Sequence, residues 1–212
     1  MKINTKKTRV MVFNSCRTLD FLPKLQLSQS HDLEVIEEHK LLGVTITSNL
    51  NWQAHVNNIC QTAYKRMWIL RRLKQLGASY EDLLKVYTTQ IRCIVEFAVA
   101  VWIGSISKAQ INQLERIQKC ALAITLGKEY GDYNRALGFV GLEPLAERRK
   151  GLCLKFARKA ARHPKFKQWF CKSKEKTVNT RSIKDEFIPV ISRTKKYEKS
   201  PLAYLTRLLN EN

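Results

Sequence analysis

Lysine and arginine side chains supply the chemistry that this chain offers most clearly, which is the neutralisation of phosphate groups. One cluster lies among apolar residues with helical spacing and consists of Lys65, Arg66, Arg71, Arg72 and Lys74. Lys65 and Arg72 are seven residues apart, so a helix would place them on one face. A second cluster consists of Arg148, Arg149, Lys150, Lys155, Arg158 and Lys159. We expect both clusters to bind nucleic-acid phosphates. An ordinary solvated face, or aliphatic stems packed on the domain, is the alternative.

The net charge of the chain favours the same kind of partner. The 212 residues include 38 Lys and Arg against 18 Asp and Glu, which gives a formal net charge of +20. Of these, 18 basic and only 5 acidic residues lie between positions 146 and 199. Such an excess is typical of proteins that bind nucleic acid, and an anionic membrane surface is the second alternative. The hydrophobic fraction of 44% is sufficient for a folded core.

The acidic residues, cysteines and histidines form no recognisable catalytic or metal site. Two-metal phosphoryl transfer requires clustered carboxylates, whereas Asp20, the pair at 37–38 and the pair at 81–82 resemble solvated or capping residues. The cysteines at positions 16, 60, 93, 120, 153 and 171 include no Cys-x-x-Cys pair. We therefore expect no catalytic residue, no metal ligand and reduced cysteines. The absence of an apolar run behind the first residues favours an intracellular location, in nucleus or cytoplasm.

Alternation of β-forming residues predicts three short strands at the N-terminal end, over residues 8–13, 24–27 and 39–47. Gly43 lies within the third strand, where we expect a bulge or a close approach of another backbone. The three strands would form a small antiparallel sheet. Its first strand would be an exposed edge if nothing precedes it.

Beyond Asn49 the apolar residues recur at three- and four-residue steps, which predicts helices. Ser79 and Ser107 have the spacing of helix N-caps, and Pro144 suits the first position of a further helix. Residues 91–103 are the most apolar stretch, and we interpret them as a core helix because they are too few to span a bilayer. Residues 171–200 are predicted to be extended or disordered, and residues 201–209 to form a terminal helix.

These elements predict an α+β fold. We expect a small antiparallel sheet over residues 1–48, a mainly helical bundle over 49–163 and a basic, partly disordered tail over 164–212. Trp52, Trp68 and Trp102 lie in apolar helical patterns, which favours burial in the core. Trp169, next to Phe166 and Phe170 in a basic context, is the best candidate for stacking on a base.

Several segments, taken in order, resemble the C-terminal end of reverse transcriptases from non-LTR retrotransposons of the jockey type. Residues 7–13 resemble the strand that follows the catalytic hairpin. The segment that resembles the primer grip consists of His39, Lys40, Leu41, Leu42, Gly43 and Val44. Residues 50–56, 67–74 and 101–102 resemble the thumb, residues 142–149 the region beyond it, and residues 199–210 the end of such a protein.

The resemblance implies descent from an RNA-directed DNA polymerase. The fingers, most of the palm, the catalytic aspartates and the endonuclease of that family are expected to lie outside this chain. We therefore expect no polymerase activity from the chain alone, and no cofactor; Mg²⁺ is implied only for the intact parent protein. The expected partners are RNA or DNA bound without sequence preference, and no membrane, with the oligomeric state left open. A domesticated module that binds a protein through the edge strand and the helices is the main alternative, and a small enzyme of unrecognised chemistry is a third.

Overall fold

A computed structural model of the chain describes residues 8–13, 26–28, 31–172 and 186–211. Its contacts divide the chain into two units, Met1–Asn57 and Asn58–Asn212. Short antiparallel strands occupy the first unit and helices the second, with the division falling inside the first helix. The predicted α+β class is therefore confirmed.

The strands of the first unit form two separate hairpins. The strands are β1 (Gln26–Ser28), β2 (His31–Asp32), β3 (Glu38–Leu41) and β4 (Val44–Thr47). β1 pairs with β2, and β3 pairs with β4, both antiparallel. In the second hairpin the pairing runs from Glu38 opposite Thr47 to Leu41 opposite Val44.

The turn of the second hairpin corrects the prediction of one strand over residues 39–47. Leu42 and Gly43 are its two central residues, with φ angles of 48° and 87°. Two-residue hairpins favour turns in which both central residues have positive φ, because their twist matches that of the strands. Gly43 is therefore a turn residue and not a bulge. The chain folds back there instead of continuing as a strand.

The predicted strand over residues 8–13 is reduced to one parallel bridge between Val10 and Val35. The amide of Val10 donates to the carbonyl of Glu34 at 3.0 Å, and the amide of Ile36 donates to the carbonyl of Val10 at 2.8 Å. The prediction of a full strand was wrong because only one residue of the segment is paired. The predicted strand over 24–27 corresponds to β1 in part, and its first two residues lie outside the described ranges.

The second unit is built from helices of very different length. Their bounds are α1 (Gln53–Gln75), α2 (Tyr80–Val86), α3 (Cys93–Glu96), α4 (Val99–Trp102), α5 (Lys108–Leu126), α6 (Tyr133–Val140), α7 (Leu145–Arg162), α8 (Lys195–Glu198) and α9 (Pro201–Glu211). Ser79 and Ser107 cap α2 and α5 as predicted, since each hydroxyl accepts a hydrogen bond from a backbone amide three residues later.

The stretch predicted as one core helix is interrupted. A π-helical turn, Tyr87–Arg92, joins α2 to α3, and Ala98 then takes a left-handed φ of 49° between α3 and α4. The run Tyr80–Ser105 has 26 residues and contains an 18-residue window with a mean hydropathy of 1.3, so by length and composition alone it could cross a membrane. Its buried residues recur at steps of three or four and are Leu83, Tyr87, Ile91, Val95, Val99 and Trp102. This spacing is that of a helix with one face in a protein core.

The segment predicted as a tail contributes a helix to the bundle. The terminal helix expected over residues 201–209 is present as α9, and it packs against α7 and α4. Close approach occurs at Gly104, where an added Cβ would lie 2.7 Å from the Cβ of Tyr204. The hydroxyl of Ser105 donates to the carbonyl of Lys199 at 2.6 Å. Within the predicted extended stretch, residues 173–185 lie outside the described ranges.

Candidate nucleic-acid interface

Helix α1 presents a basic and aromatic face to solvent. Its buried side is formed by Cys60, Ala63, Met67 and Leu70, which recur at three- and four-residue steps. The exposed residues that we call the α1 face are Tyr64, Lys65, Trp68, Arg71 and Arg72. They are also related by steps of three, four and seven, so a strand of nucleic acid could contact several of them at once.

The cations of the α1 face have no acidic partner in the described part of the chain. None of the ion pairs there includes Lys65, Arg71 or Arg72, and Arg72 makes only a weak contact with the amide oxygen of Gln75, at 3.4 Å. Arg116 of α5 adds a cation close enough to Tyr64 to act on its pKa. Partial burial is the main effect on that phenol and raises its pKa. The surface is therefore uniformly positive.

The exposure of Trp68 corrects the expectation that it belongs to the core. Its side chain is 65% exposed, whereas Trp52 and Trp102 are buried as predicted. Trp68 follows Met67 directly, and adjacent residues of a helix point about 100° apart. Periodicity therefore placed Trp68 outside the apolar face, although tryptophan is usually buried. Its exposure next to three cations provides a flat π-surface for a base.

Two residues of the first predicted cluster bind the protein itself. The guanidinium of Arg66 donates to the carbonyl of Gln90, in the π-helical turn, at 2.7 Å. The ammonium of Lys74 donates to the carbonyls of Ile124 and Thr125 near the end of α5. These helix-end carbonyls lack partners within α5, and a cation there is favoured by the helix dipole. Neither charge belongs to the α1 face.

The second predicted cluster is separated by helix geometry. Arg149 is completely buried, which corrects the prediction that it contacts phosphate in the folded chain. Arg148 is bound to Glu96, with its Nε 2.9 Å from the carboxylate, and Lys150 pairs with Glu211 at 3.5 Å. Three consecutive residues cannot share one helix face. The second cluster that we predicted from the sequence therefore does not form a single surface.

Arg149 lies beside a buried polar network that the sequence did not lead us to expect. Gln118 is fully buried, accepts a hydrogen bond from the hydroxyl of Tyr87 at 2.6 Å and donates one to the hydroxyl of Tyr133 at 3.1 Å. Tyr133 in turn donates to Glu115. Burial raises the pKa of both tyrosines, so their hydroxyls stay protonated and can donate. The network joins helices of the bundle and offers no open site for a substrate.

The remaining predicted cations lie towards the end of α7. Lys155, Arg158 and Lys159 are exposed, and Arg162 follows them at the last position of the helix. Immediately beyond are three neighbouring rings, His163, Phe166 and Trp169. Cations in a last turn are favoured by the helix dipole. The α7 end is thus a second basic surface of the same unit.

The primer-grip-like segment is the β3–β4 hairpin. His39, Lys40 and Leu41 are exposed on β3, and Leu42 at the turn is 88% exposed, while Val44 is buried. These residues therefore all lie in one hairpin.

Carboxylates that could hold divalent ions are not brought together in the described ranges. No group of three or more His, Cys, Asp or Glu residues with a metal-binding arrangement occurs among residues 8–13, 26–28, 31–172 and 186–211. Two carboxylates with little exposure, those of Glu96 and Glu115, bind arginines. These carboxylates are not arranged to hold the two Mg²⁺ ions that two-metal phosphoryl transfer uses.

Comparisons with models of protein families, with characterised proteins and with solved structures found no match.

Proposed function

We propose that this chain is a C-terminal portion of a jockey-like non-LTR reverse transcriptase that binds RNA or DNA without sequence preference and performs no polymerisation by itself. The observation that supports binding most directly is the α1 face, in which Lys65, Arg71 and Arg72 are exposed beside Trp68 and have no carboxylate partner in the described part of the chain. The ancestry rests on the sequence resemblance alone.

The α1 face is suited to phosphates rather than to base edges. Its cations are on long, flexible side chains along one helix, and no groove-reading element accompanies them. Affinities for unrelated sequences of the same length should therefore agree within about tenfold, or about 1.4 kcal/mol. A stronger preference in a mobility-shift titration would contradict the proposal.

The binding role is tested by removing the three charges from the full chain. We expect the variant Lys65→Gln, Arg71→Gln, Arg72→Gln to bind duplex more weakly and to lose part of the salt dependence, since each phosphate contact contributes roughly −0.9 to the slope of log K against log salt. The matched control is Lys108→Gln, Lys128→Gln, Arg135→Gln, which removes the same charge from other exposed positions. Equal losses in both variants would mean that net charge alone governs binding.

The absence of polymerisation is tested separately. The purified chain is incubated with a primed template, nucleotides and either Mg²⁺ or Mn²⁺. We expect no template-dependent incorporation, because the described residues include no group of carboxylates arranged to hold metal ions. Incorporation that survives repeated purification would refute this part of the proposal.

The second candidate function is protein binding through the β3–β4 hairpin, and the conformation of Leu42 favours it. A leucine with a φ of 48° costs roughly 1 kcal/mol relative to glycine or asparagine, and here the side chain is 88% exposed. Strain at an exposed apolar residue is typical of a contact site. Leu42→Asn should leave the fold intact and raise its stability slightly, and it should abolish capture of any partner that uses this hairpin.

A further inference from the structure

A row of aromatic rings follows the C-terminal end of α7. The ring centroids of His163 and Phe166 are 5.0 Å apart, and those of Phe166 and Trp169 are likewise 5.0 Å apart. The ring planes are inclined at 35° and 47°, so neighbouring rings touch at an angle. Phe166 is 38% exposed and Trp169 is 52% exposed. The row is therefore open to solvent along much of its length.

The local backbone explains why these three rings are neighbours. The proline after His163 cannot continue α7, because it lacks an amide hydrogen. The amide of Phe166 then donates to the carbonyl of His163 at 3.0 Å, and a 3₁₀ turn follows at Lys167–Trp169. In tight turns of this kind residues three apart eclipse one another. Phe170 is only 3% exposed and anchors the turn, which leaves Trp169 outside.

The chain segment that carries the row is basic. Residues 158–172 include six basic and no acidic residues. The basic residues are Arg158, Lys159, Arg162, Lys165, Lys167 and Lys172. Lys172 is paired with Glu186. Lys165 and Lys167 alternate with the rings along the chain. In a bound strand of nucleic acid, the phosphates could therefore contact these cations while the bases contact the rings.

We infer that the aromatic row is a stacking site for unpaired bases of single-stranded RNA or DNA, with the cations of the α7 end bound to the phosphates between them. Bases in a duplex are already stacked and hydrogen-bonded, so their faces cannot reach the rings, whereas each base of a single strand has a free π-face. The inference rests on the proposed nucleic-acid binding and adds to it a substrate class and a second site. The α1 face would bind the phosphates of both single-stranded and duplex nucleic acid.

Tryptophan fluorescence can report on this site in the full chain. Trp52 is 8% exposed and Trp102 is fully buried, so Trp68 and Trp169 are the tryptophans that a base can reach. In a Trp68→Phe variant, a short oligouridylate should quench the fluorescence of Trp169 on binding. In a Trp169→Phe variant, the same oligouridylate should quench the fluorescence of Trp68 less than it quenches that of Trp169 in the Trp68→Phe variant.

Affinity measurements then separate stacking from folding. Trp169→Phe keeps an aromatic face and should bind oligouridylate within about threefold of the parent chain, whereas Trp169→Leu keeps an apolar side chain and should lose at least about tenfold, or about 1.4 kcal/mol. Duplex affinity and the salt slope should be unchanged in both, because no charge is removed. Phe139→Leu alters another exposed ring, on α6, and is the matched control. Helical circular dichroism verifies that each variant is folded.

The outcomes distinguish this inference from the function on which it rests. Loss of single-strand affinity in Trp169→Leu alone, with Trp169→Phe spared, supports the stacking site. If the parent chain binds and Trp169→Leu binds equally well, or if only Trp68 is quenched, the inference is overturned and the α1 face remains the binding surface. If the parent chain binds neither oligouridylate nor duplex, the proposed function fails and the inference with it. Equal weakening of single-strand and duplex binding in a folded Trp169→Leu variant would also overturn the inference, because the ring would then not act on unpaired bases in particular.

Discussion

The guanidinium of Arg149 lies 4.0 Å from the carboxylate of Glu115, and the arginine is completely buried. None of its three side-chain nitrogens has a hydrogen-bond partner in the described part of the chain. Glu115 is better satisfied, because it accepts hydrogen bonds from Tyr133 and, at 3.0 Å, from the amide of Leu145. Burial lowers the pKa of Arg149, which expresses the cost of a desolvated cation. Of the two residues, Glu115 therefore has hydrogen-bond partners other than the ion pair, whereas Arg149 depends on Glu115.

We predict that Glu115→Gln destabilises the chain more than Arg149→Met does. Glutamine keeps an acceptor for Tyr133 and Leu145 but leaves the buried cation without a counter-charge, at a cost of about 3 kcal/mol. Methionine fills a similar volume and leaves Glu115 hydrogen-bonded, so its cost should be about 1 kcal/mol or less. Urea unfolding of both variants gives the comparison. The reverse order would show that Arg149 contributes through contacts that the distances do not reveal.

A second prediction concerns Lys74, whose ammonium donates to the carbonyls of Ile124 and Thr125. Lys74→Met should reduce the free energy of unfolding by about 1.5–2 kcal/mol, because two helix-end acceptors lose a charged donor. Lys65→Met removes the same charge from the exposed face of the same helix and should change stability by less than about 0.5 kcal/mol. Similar effects at the two positions would rule out this helix-end interaction.

The third prediction tests the place of α9 in the bundle. Leu208 is 3% exposed, and Leu208→Ala should cost about 2–5 kcal/mol through lost burial and a residual cavity. Arg207→Ala alters the neighbouring, exposed position and should cost about 0.5 kcal/mol or less. Thermal or urea unfolding distinguishes them. A small effect of Leu208→Ala would mean that α9 is only loosely attached to the bundle.

A fourth prediction follows from the two buried thiols. Cys60 and Cys153 are buried, and desolvation raises the pKa of each to about 11, while Cys93, Cys120 and Cys171 are exposed. In a Cys16→Ser variant at pH 8, a thiol reagent should modify the three exposed cysteines rapidly and the two buried ones only after unfolding. Peptide mapping by mass spectrometry identifies the sites. Rapid modification of Cys60 would contradict its burial.

The same thiols make stability fall at alkaline pH. In the unfolded chain the thiols have the ordinary cysteine pKa and lose their protons near pH 9, while the folded chain retains them to about pH 11. The unfolded state therefore binds fewer protons in that window. Each thiol should lower the free energy of unfolding by up to about 1.4 kcal/mol per pH unit between those values. Urea titrations at several pH values should show a shallower decline in the Cys60→Ala, Cys153→Ala variant. If the free energy of unfolding declines equally in this variant and in the parent chain, other titratable groups cause the decline.

Local periodicity predicted most helices and would also have corrected two of our errors. Leu145, Arg149 and Cys153 follow at four-residue steps on the buried side of α7, so position alone indicated that the arginine is enclosed. The same periodicity places Trp68 outside the apolar face of α1. In both cases the position of the residue in the pattern is more informative than the usual preference of its type. The charge and size of a side chain influence how often its type is buried, but its position on the packed face of a helix determines whether it is buried in this fold.

Other features had no local signal. Lys74 and its acceptor Ile124 are 50 residues apart, and nothing in either segment indicates the other. The turn at Leu42 and Gly43 lacks the Asn-Gly or Asp-Gly pair that usually identifies a two-residue hairpin. The neighbouring rings of His163 and Trp169 depend on a 3₁₀ turn whose geometry the sequence only permits. Such contacts become visible only when the chain is folded.

The tight fit between Gly104 and Tyr204 has a consequence for biosynthesis. Ser105 and Lys199, which meet beside it, are separated by 94 residues, so this side of the bundle cannot close until the ribosome has synthesised α9. During that interval the surface that Leu205 and Leu208 later cover stays exposed in the nascent chain. A substitution of Gly104 by alanine would prolong the interval, because the closing helix would meet a side chain where the backbone now fits. Chaperone dependence and aggregation during translation should therefore be sensitive to this single position.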